Sequence, residues 1–405
     1  MNVHVRSVSL SRASVCSSVG AGLAAFVLAV SSPNVAHADV RSFSTENEWS
    51  STQLNALGGV GHLSEELADQ FFADPSLPQL RKTKLDIELG SAHLMYSTDL
   101  KETVQDAREF QSGSSGSQGA SQTVDLLDKV HTLFGRNLMG GANFTLLAVR
   151  RGGVTVVPYT SMFFDGGADV PAWPRASGTG DLYGGVGIGY GFMVGKDWDL
   201  GLNIRPGVRA YAKGAADVSS VGDFAGSSST ADSSPEGTSD FGSYGVGLYV
   251  PVDLGTGYRF TKDTRVNLVA RNVGSAKSLQ TIKGEAPPVY PMRLSLGLSS
   301  HLLEKGAHSV NAGTDVQDLM NVSEKNGLWY RWQWGAQYLY RLSNRKETSF
   351  GLNGGLRSGY PAIGLFLDLY ILKFEAAYFV RESGYYVGQR PVKAVSFRTW
   401  TQMTF

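Results

Sequence analysis

Cysteine is almost absent from this chain: the single one, Cys16, lies before a short apolar run near the N-terminus. The processed polypeptide expected below therefore has no disulfide framework, no thiolate metal site and no cysteine nucleophile. Long hydrophobic runs are missing as well. After residue 38 nothing reaches the roughly 18 uninterrupted apolar residues that a membrane-crossing helix needs. Charge of one sign is lacking too, with 36 basic residues against 36 acidic ones. Nothing points to a nucleic-acid partner, which would call for a basic stripe.

Catalytic and metal constellations are equally scarce. His62, His93, His131, His301 and His308 are scattered, and no Gly-x-Ser-x-Gly elbow accompanies them. Asp165, Asp169 and Asp181 crowd one region without the spacing of a calcium loop. The glycines between Gly185 and Gly191 alternate within a strand-like run rather than opening a helix, so they do not read as a phosphate loop. No enzyme activity, metal or cofactor is expected.

What is present begins with an export signal. Arg6 and Arg12 supply a basic start, residues 19–30 are apolar, and Ala36-His37-Ala38 offers a small-x-small cleavage pattern. Residues 1–38 are expected to be removed, leaving Asp39 first. Cys16 precedes the apolar run, the wrong place for lipid attachment. The processed chain becomes slightly acidic.

The stretch 182–213 sets the pattern for the rest. Leu182, Val186, Ile188, Phe192 and Val194 share one parity, while Tyr183, Gly185, Gly187, Gly189 and Gly191 share the other. After Gly195-Lys196-Asp197, one face carries Trp198, Leu200, Leu202, Ile204 and Val208; the opposite face carries Asp199, Asn203, Arg205, Arg209 and Tyr211. Side chains alternate across a strand, so this is a hairpin with one apolar and one polar or glycine face. Strands of this length, with aromatics toward their ends, fit a membrane barrel that turns apolar side chains to lipid and polar ones to the lumen.

The same alternation recurs along the chain. From residue 84, Leu85, Ile87, Leu89 and Met95 are expected outward, with Asp86 and Glu88 inward. In 328–340 the lipid face is assigned Tyr330, Trp332, Trp334, Tyr338 and Tyr340. Aromatic residues at strand ends suit the interfacial girdles of such barrels. The final segment puts Phe397, Met403 and the terminal Phe405 on one parity, similar to the C-terminal signal read by bacterial barrel-assembly machinery. The count is about fourteen antiparallel strands, an even number as single-chain bacterial barrels require.

Three stretches break the alternation. Residues 39–80 read as a compact irregular segment, with a helical pattern through 65–72. Residues 99–136 read as a small helical insertion around a Gly/Ser run, and 215–242 as a long outer loop. Residues 166–180 read as another loop. The fold class is thus an all-β, transmembrane antiparallel barrel spanning 81–405, preceded by a plug at 39–80. Its surroundings would be outer-membrane lipid and lipopolysaccharide of a Gram-negative bacterium.

By parity, Asp86, Glu88, Arg205, Arg209, Asp253, Arg271, Arg293, Arg331, Asp368 and Glu375 project into the lumen. Arginines there can select a carboxylate ligand. They can equally pair with acids of the wall and plug, because enclosed charges are costly unless partnered. For any single residue pairing is the favoured reading. The mixture of signs argues against an ion-selective pore, which shows rings of one sign.

Two regions resemble the FadL-type outer-membrane family, in its TraF-like and PorV-like branch. Ala56-Leu57-Gly58-Gly59-Val60-Gly61, followed by Asp74-Pro75-Ser76-Leu77, is similar to the family's glycine-rich opening and Asn-Pro-Ala turn, with Asp74 and Ser76 as departures. Gly355-Leu356-Arg357-Ser358-Gly359-Tyr360-Pro361 and Glu382-Ser383-Gly384-Tyr385-Tyr386-Val387-Gly388-Gln389 are similar to the TraF-like branch. The resemblance implies that residues 39–80 form a hatch, with Gly58, Gly59, Gly61, Asp74 and Pro75 as its marks. It further implies passive passage of small hydrophobic, fatty-acid-like compounds. The alternative it carries is a non-transporting partner of a secretion or conjugation machine.

Overall fold

The computed structural model describes residues 49–64, 66–77, 85–103, 136–169, 175–217, 244–322, 327–342, 348–383 and 390–405. The expected signal segment 1–38 lies outside them. So does most of the helical insertion expected at 99–136, of which residues 99–103, which are helical, and residue 136 are described.

The described strands are β1 (Asp86–Ser97), β2 (Asn137–Arg151), β3 (Val154–Asp169), β4 (Arg175–Val194), β5 (Trp198–Ile204), β6 (Gly207–Asp217), β7 (Tyr244–Tyr249), β8 (Val252–Arg259) and β9 (Thr264–Arg271). They continue as β10 (Gln280–Gly284), β11 (Arg293–Lys305), β12 (His308–Val316), β13 (Trp332–Arg341), β14 (Thr348–Arg357), β15 (Tyr360–Leu369), β16 (Leu372–Glu382) and β17 (Pro391–Thr404). All pairings are antiparallel, and β1 closes the wall against β17. Three pairs of segments are halves of single wall strands. Both β5 and β6 lie against β4, β7 and β8 continue one another, and β9 continues into β10. The result is a closed barrel of 14 strands.

Proline explains two of these breaks. Pro206 separates β5 from β6 and Pro251 separates β7 from β8, and neither has an N–H to give a ladder. The breaks sit side by side, since Arg205 N donates to Pro251 O at 2.9 Å. Parity survives both of them, with Asn203, Arg205 and Arg209 all buried and Leu202, Ile204 and Val208 all exposed.

Burial is inverted relative to a water-soluble sheet. Leu182, Val186, Ile188, Tyr190, Phe192 and Val194 face outward, whereas Arg150, Arg205 and Arg209 are among the largest fully enclosed side chains. A sheet placed this way is stable only where its outer surface meets hydrocarbon. Connections β2–β3, β4–β5, β8–β9, β11–β12 and β15–β16 are tight, and the long ones gather at the opposite end. In barrels of this kind the tight turns face the periplasm.

The structure corrects four sequence-based expectations. Met95 is buried rather than outward, because Gly90 adopts φ +60° and the β1–β17 register shifts between Leu89 and Ala92, turning Ser91, His93 and Met95 to the lumen. Tyr330 does not face lipid. It belongs to a single helical turn, Leu328–Arg331, that precedes β13, and its buried hydroxyl donates to Glu382 O at 2.7 Å. The loop expected at 166–180 is mostly wall, since β3 runs to Asp169 and β4 starts at Arg175. Residues 215–217 likewise belong to β6. The segment β10 had no counterpart among the expected strands.

Candidate functional site

Residues 49–64 and 66–77 pack inside the barrel wall. They carry helix α1 (Thr52–Ala56), a 3-10 turn at Gly61–Leu63 and helix α2 (Leu67–Ala73). Ser51 caps α1 by accepting from Leu54 N. Gly58 and Gly59 then adopt φ +66° and +95°, the left-handed region that costs glycine nothing. A side chain on Gly58 would also run into the backbone of Trp334 and Leu356. On the wall, Gly187 lies under the Phe71 ring and Gly201 under the Pro75 carbonyl, so inner-face glycines give the plug its close fit.

Polar bonds hold this plug at its base. Asp69, fully buried, accepts from Trp49 Nε1 at 2.9 Å and Ser51 Oγ at 2.5 Å, and pairs with Arg398 Nη1 at 3.2 Å. Arg398 also donates to Glu88 Oε1 at 2.8 Å and Ser91 Oγ at 2.9 Å. The other Glu88 oxygen accepts from Ala68 N at 3.2 Å, so a wall carboxylate caps helix α2. Arg150 bonds Asp86 at 2.5 Å and Gln70 Oε1 at 2.7 Å. Arg265 bonds Asp74 at 3.0 Å and Ser76 Oγ at 2.5 Å, and Asn203 Nδ2 donates to Phe71 O at 2.6 Å.

Two hatch groups are shifted by this enclosure. Burial pushes the Glu66 carboxyl up to about 8, against the opposing pull of Lys373 and Arg398. Burial alone would lower His62, but Asp315, 3.1 Å away on β12, together with Asp74 and the Leu298 carbonyl more than offsets it and leaves the imidazole above its ordinary value.

Of the residues assigned to the lumen by parity, Asp86, Glu88, Arg205, Arg209, Asp253, Arg293 and Glu375 are all buried. Arg205 pairs with Asp253 at 2.9 Å, Arg209 with Asp181 at 2.6 Å, and Asp368 with Lys373 at 3.1 Å. Arg271 donates to Ala73 O at 3.2 Å and Arg331 to Asp318 O at 3.0 Å. Parity reasoning did not single out Arg398 and Arg150, although both stand opposite the apolar faces of their strands. Asp69 offered no signal, because its segment has no periodicity to read. Trp332, Trp334, Tyr338 and Tyr340 alternate with buried Gln333, Gln337 and Leu339. Phe397 and Phe405 are exposed, and Met403 is half-buried.

Between the plug and one side of the wall lies an aromatic cluster. Trp49 stacks on Phe72 at 4.4 Å between centroids, Phe72 meets the edge of Tyr159 at 4.7 Å, and Tyr159 stacks on Tyr183 at 5.4 Å. Phe71, Tyr249 and Tyr290 belong to the same buried cluster. Beside it opens a cavity of about 60 Å³, bordered by Trp49, Phe72 and Tyr330 and by Arg271, Arg293, Arg331 and Arg357. That space admits a few water-sized groups.

No family model matches the chain. No curated protein sequence matches it either. Among solved structures it is similar to the Ralstonia pickettii toluene transporter TbuX, with 14% identity over 89% of this chain and 100% of that one and a TM-score of 0.47. It is also similar to the Pseudomonas putida toluene transporter TodX, with 12% identity over 89% and 99% of the two chains and a TM-score of 0.43. A Pseudomonas aeruginosa FadL homologue shares 10% identity over 88% and 97%, with a TM-score of 0.30.

Proposed function

We propose that this chain is a hatch-gated, FadL-type channel of a Gram-negative outer membrane, giving passive passage to small hydrophobic compounds. The observation that carries this reading is the run of contacting aromatic rings from Trp49 to Tyr183 inside the barrel, stacked at both ends and edge-to-face in the middle. A pore for hydrophilic solutes lines its lumen with polar groups and water. Once Trp49 and Phe72 move with the hatch, the rings of Tyr159 and Tyr183 that they cover offer an apolar solute a surface to move along, while the polar base of the hatch blocks free solvent flow. Passage then requires the hatch to shift as a unit, breaking bonds at its base without bond chemistry on the cargo.

Residues 1–38 would direct export, and Phe397, Met403 and Phe405 would present the finished chain to the assembly machinery. Outer-membrane lipid and lipopolysaccharide would surround the wall.

A double cysteine variant tests gating, because the processed chain has no cysteine of its own to interfere. Ser76→Cys with Gly255→Cys ties the hatch to β8, where the Ser76 backbone already lies against Gly255. In a Gram-negative host, accumulation of a radiolabelled aromatic hydrocarbon is expected to rise with the reduced protein. It should fall to the background of cells lacking the protein when the pair is oxidised. Equal accumulation in all three states would sink the channel reading, and a matching loss of secretion or mating would point to a partner of an envelope machine.

A further inference from the structure

The long connection between β9 and β11 has two limbs that are held in different ways. The outgoing limb, residues 272–285, is laced to the wall. Val273 N donates to Val252 O at 2.8 Å, Leu279 N to Leu248 O at 2.8 Å and Glu285 N to Tyr244 O at 2.9 Å, and β10 pairs with β7 between the last two. Its foot is fixed at Asn272, whose side chain accepts from Arg205 Nη2 at 2.9 Å while its N–H donates to Asp253 Oδ1 at 2.9 Å. The returning limb, residues 286–292, follows a turn at Gly284, where φ is +71°, and runs into the lumen with Pro287 and Tyr290 buried. Pro287, Pro288 and Pro291 have no N–H to give a ladder. Side chains grip this limb instead. Tyr249 Oη donates to Pro287 O and Arg209 Nη1 to Pro288 O, each at 2.6 Å, and the Arg209 guanidinium lies 3.8 Å from the centre of the Tyr290 ring. Tyr290 and Ala276 exchange backbone bonds at 2.8 and 2.9 Å as an isolated bridge between the limbs. Tyr290, Tyr249 and Ala276 belong to the same buried cluster as the hatch rings. Trp49 and Phe72 stand at one end of it and Tyr290 at the other, since Tyr183 lies opposite Arg209 in the β4–β6 register.

We propose that residues 286–292 form a strap that closes the outer entrance to the aromatic cluster, and that they lift off Tyr249 and Arg209 before a small apolar solute reaches the rings. This rests on the channel reading and adds a second closure to it, so that the solute is held between two gates. The unequal grip on the two limbs decides which one moves. Lifting the outgoing limb would strip a strand from β7, whereas lifting the returning limb breaks side-chain bonds to two carbonyls and one isolated bridge. Three prolines with φ fixed near −65° let that limb travel as a stiff bar, and Gly284, free to change the sign of φ, supplies a hinge. Arg209 keeps its 2.6 Å pairing with Asp181 when the strap rises, so opening strands no enclosed charge.

Two measurements on the full processed protein test the strap. Ala276→Cys with Tyr290→Cys places thiols on a directly opposed, hydrogen-bonded pair, whose Cα spacing of about 5.5 Å suits a disulfide. In a Gram-negative host, accumulation of radiolabelled benzene is expected to exceed the background of cells lacking the protein when the pair is reduced, and to fall to that background when it is oxidised. Equal accumulation above background in both states would overturn the strap and leave the channel standing. Background accumulation in both states, together with the same result in the hatch-locking pair, would overturn the two readings at once. The second measurement needs no passage across a membrane and no double cysteine. Val289→Cys, at a half-buried position of the strap, is treated with a maleimide in detergent, alone and combined with Tyr249→Phe. Loss of the Tyr249 hydroxyl frees the Pro287 carbonyl and is expected to raise the labelling rate about fivefold, the effect of one hydrogen bond on an opening equilibrium. Ser76→Cys, in the hatch, should keep its rate in the Tyr249→Phe background. Unchanged labelling of Val289→Cys, or an equal rise at Ser76→Cys, would overturn a strap that opens on its own.

Discussion

The two ends of the hatch handle buried arginine in opposite ways. At the base, Arg150, Arg265 and Arg398 each meet a carboxylate of the wall or plug within 3.2 Å. At the outer edge, Arg293 meets none among the described residues. The base is therefore arranged like the interior of a finished protein, in which removal of either partner strands a charge. At the outer edge that arrangement stops short at Arg293 alone among the cavity's arginines in the described residues. Enclosure alone does not separate a structural ion pair from a binding group; the inventory of nearby acids does.

The sharpest way to break this contrast is at Arg398, which touches Asp69, Glu88 and Ser91 at once. Arg398→Ala should cost about 3–5 kcal/mol, because two buried carboxylates lose their shared cation. The heat-induced shift of the folded barrel on a gel, and protease cleavage within residues 49–77, should both report it. Next in size is Gly58→Val, which forces a β-branched residue to positive φ against the backbone of β13 and β14. A loss of about 1–3 kcal/mol is expected from backbone strain. A full-sized thermal midpoint in this variant would show that the glycine turn is not what seats the hatch.

Supplying an acid beside Arg293 should sharpen the contrast from the other side. Ser295→Asp, at the cavity border beside Arg293, should stabilise the protein by about 1 kcal/mol. Loss of stability would mean that Arg293 is already satisfied by solvent. A smaller effect is expected from pH. Glu66 takes up a proton more readily in the folded protein than in the unfolded chain, so its contribution is greatest below about pH 4.5 and is lost as pH rises through about 8. Retention of the hatch should weaken across that window in the native protein and lose this component in Glu66→Gln. Smallest of all is Trp334→Leu on the lipid face, expected to change stability by less than about 1 kcal/mol because one apolar surface replaces another.

Much of the wall was legible in the sequence, because a strand exposed to two different solvents writes its orientation into every second residue. The run 182–213 kept its parity even across Pro206, and Trp334 and Tyr340 lie outward as their alternation required. Failures came where the backbone departs from a period of two. Gly90 inserts an extra residue and reverses everything up to Ser97, and the helical turn at Leu328–Arg331 swings Tyr330 inward. An isolated glycine can mark a bulge, but the alternation around it does not say whether one is there, and the helical turn leaves no such mark. The candidate site was half legible for the same reason. Arg271, Arg293 and Arg331 could be placed in the lumen by parity, but Trp49 and Asp69 sit in a segment whose conformation is set by the wall around it. Which arginines find acids is a property of the closed barrel, because the partners stand on different strands.

The hydrogen bonds between Leu85 and Phe405, one in each direction, have a kinetic meaning. The earliest strand of the wall takes as its neighbour the latest one, so β1 waits with one side unsatisfied while some three hundred residues are laid down. Contacts so distant along the chain are slow to form, and an open greasy ribbon is prone to stick to its fellows meanwhile. A newly made chain therefore needs escorting until its two extremities meet, and sealing the ring is the step at which it becomes fit to live in lipid.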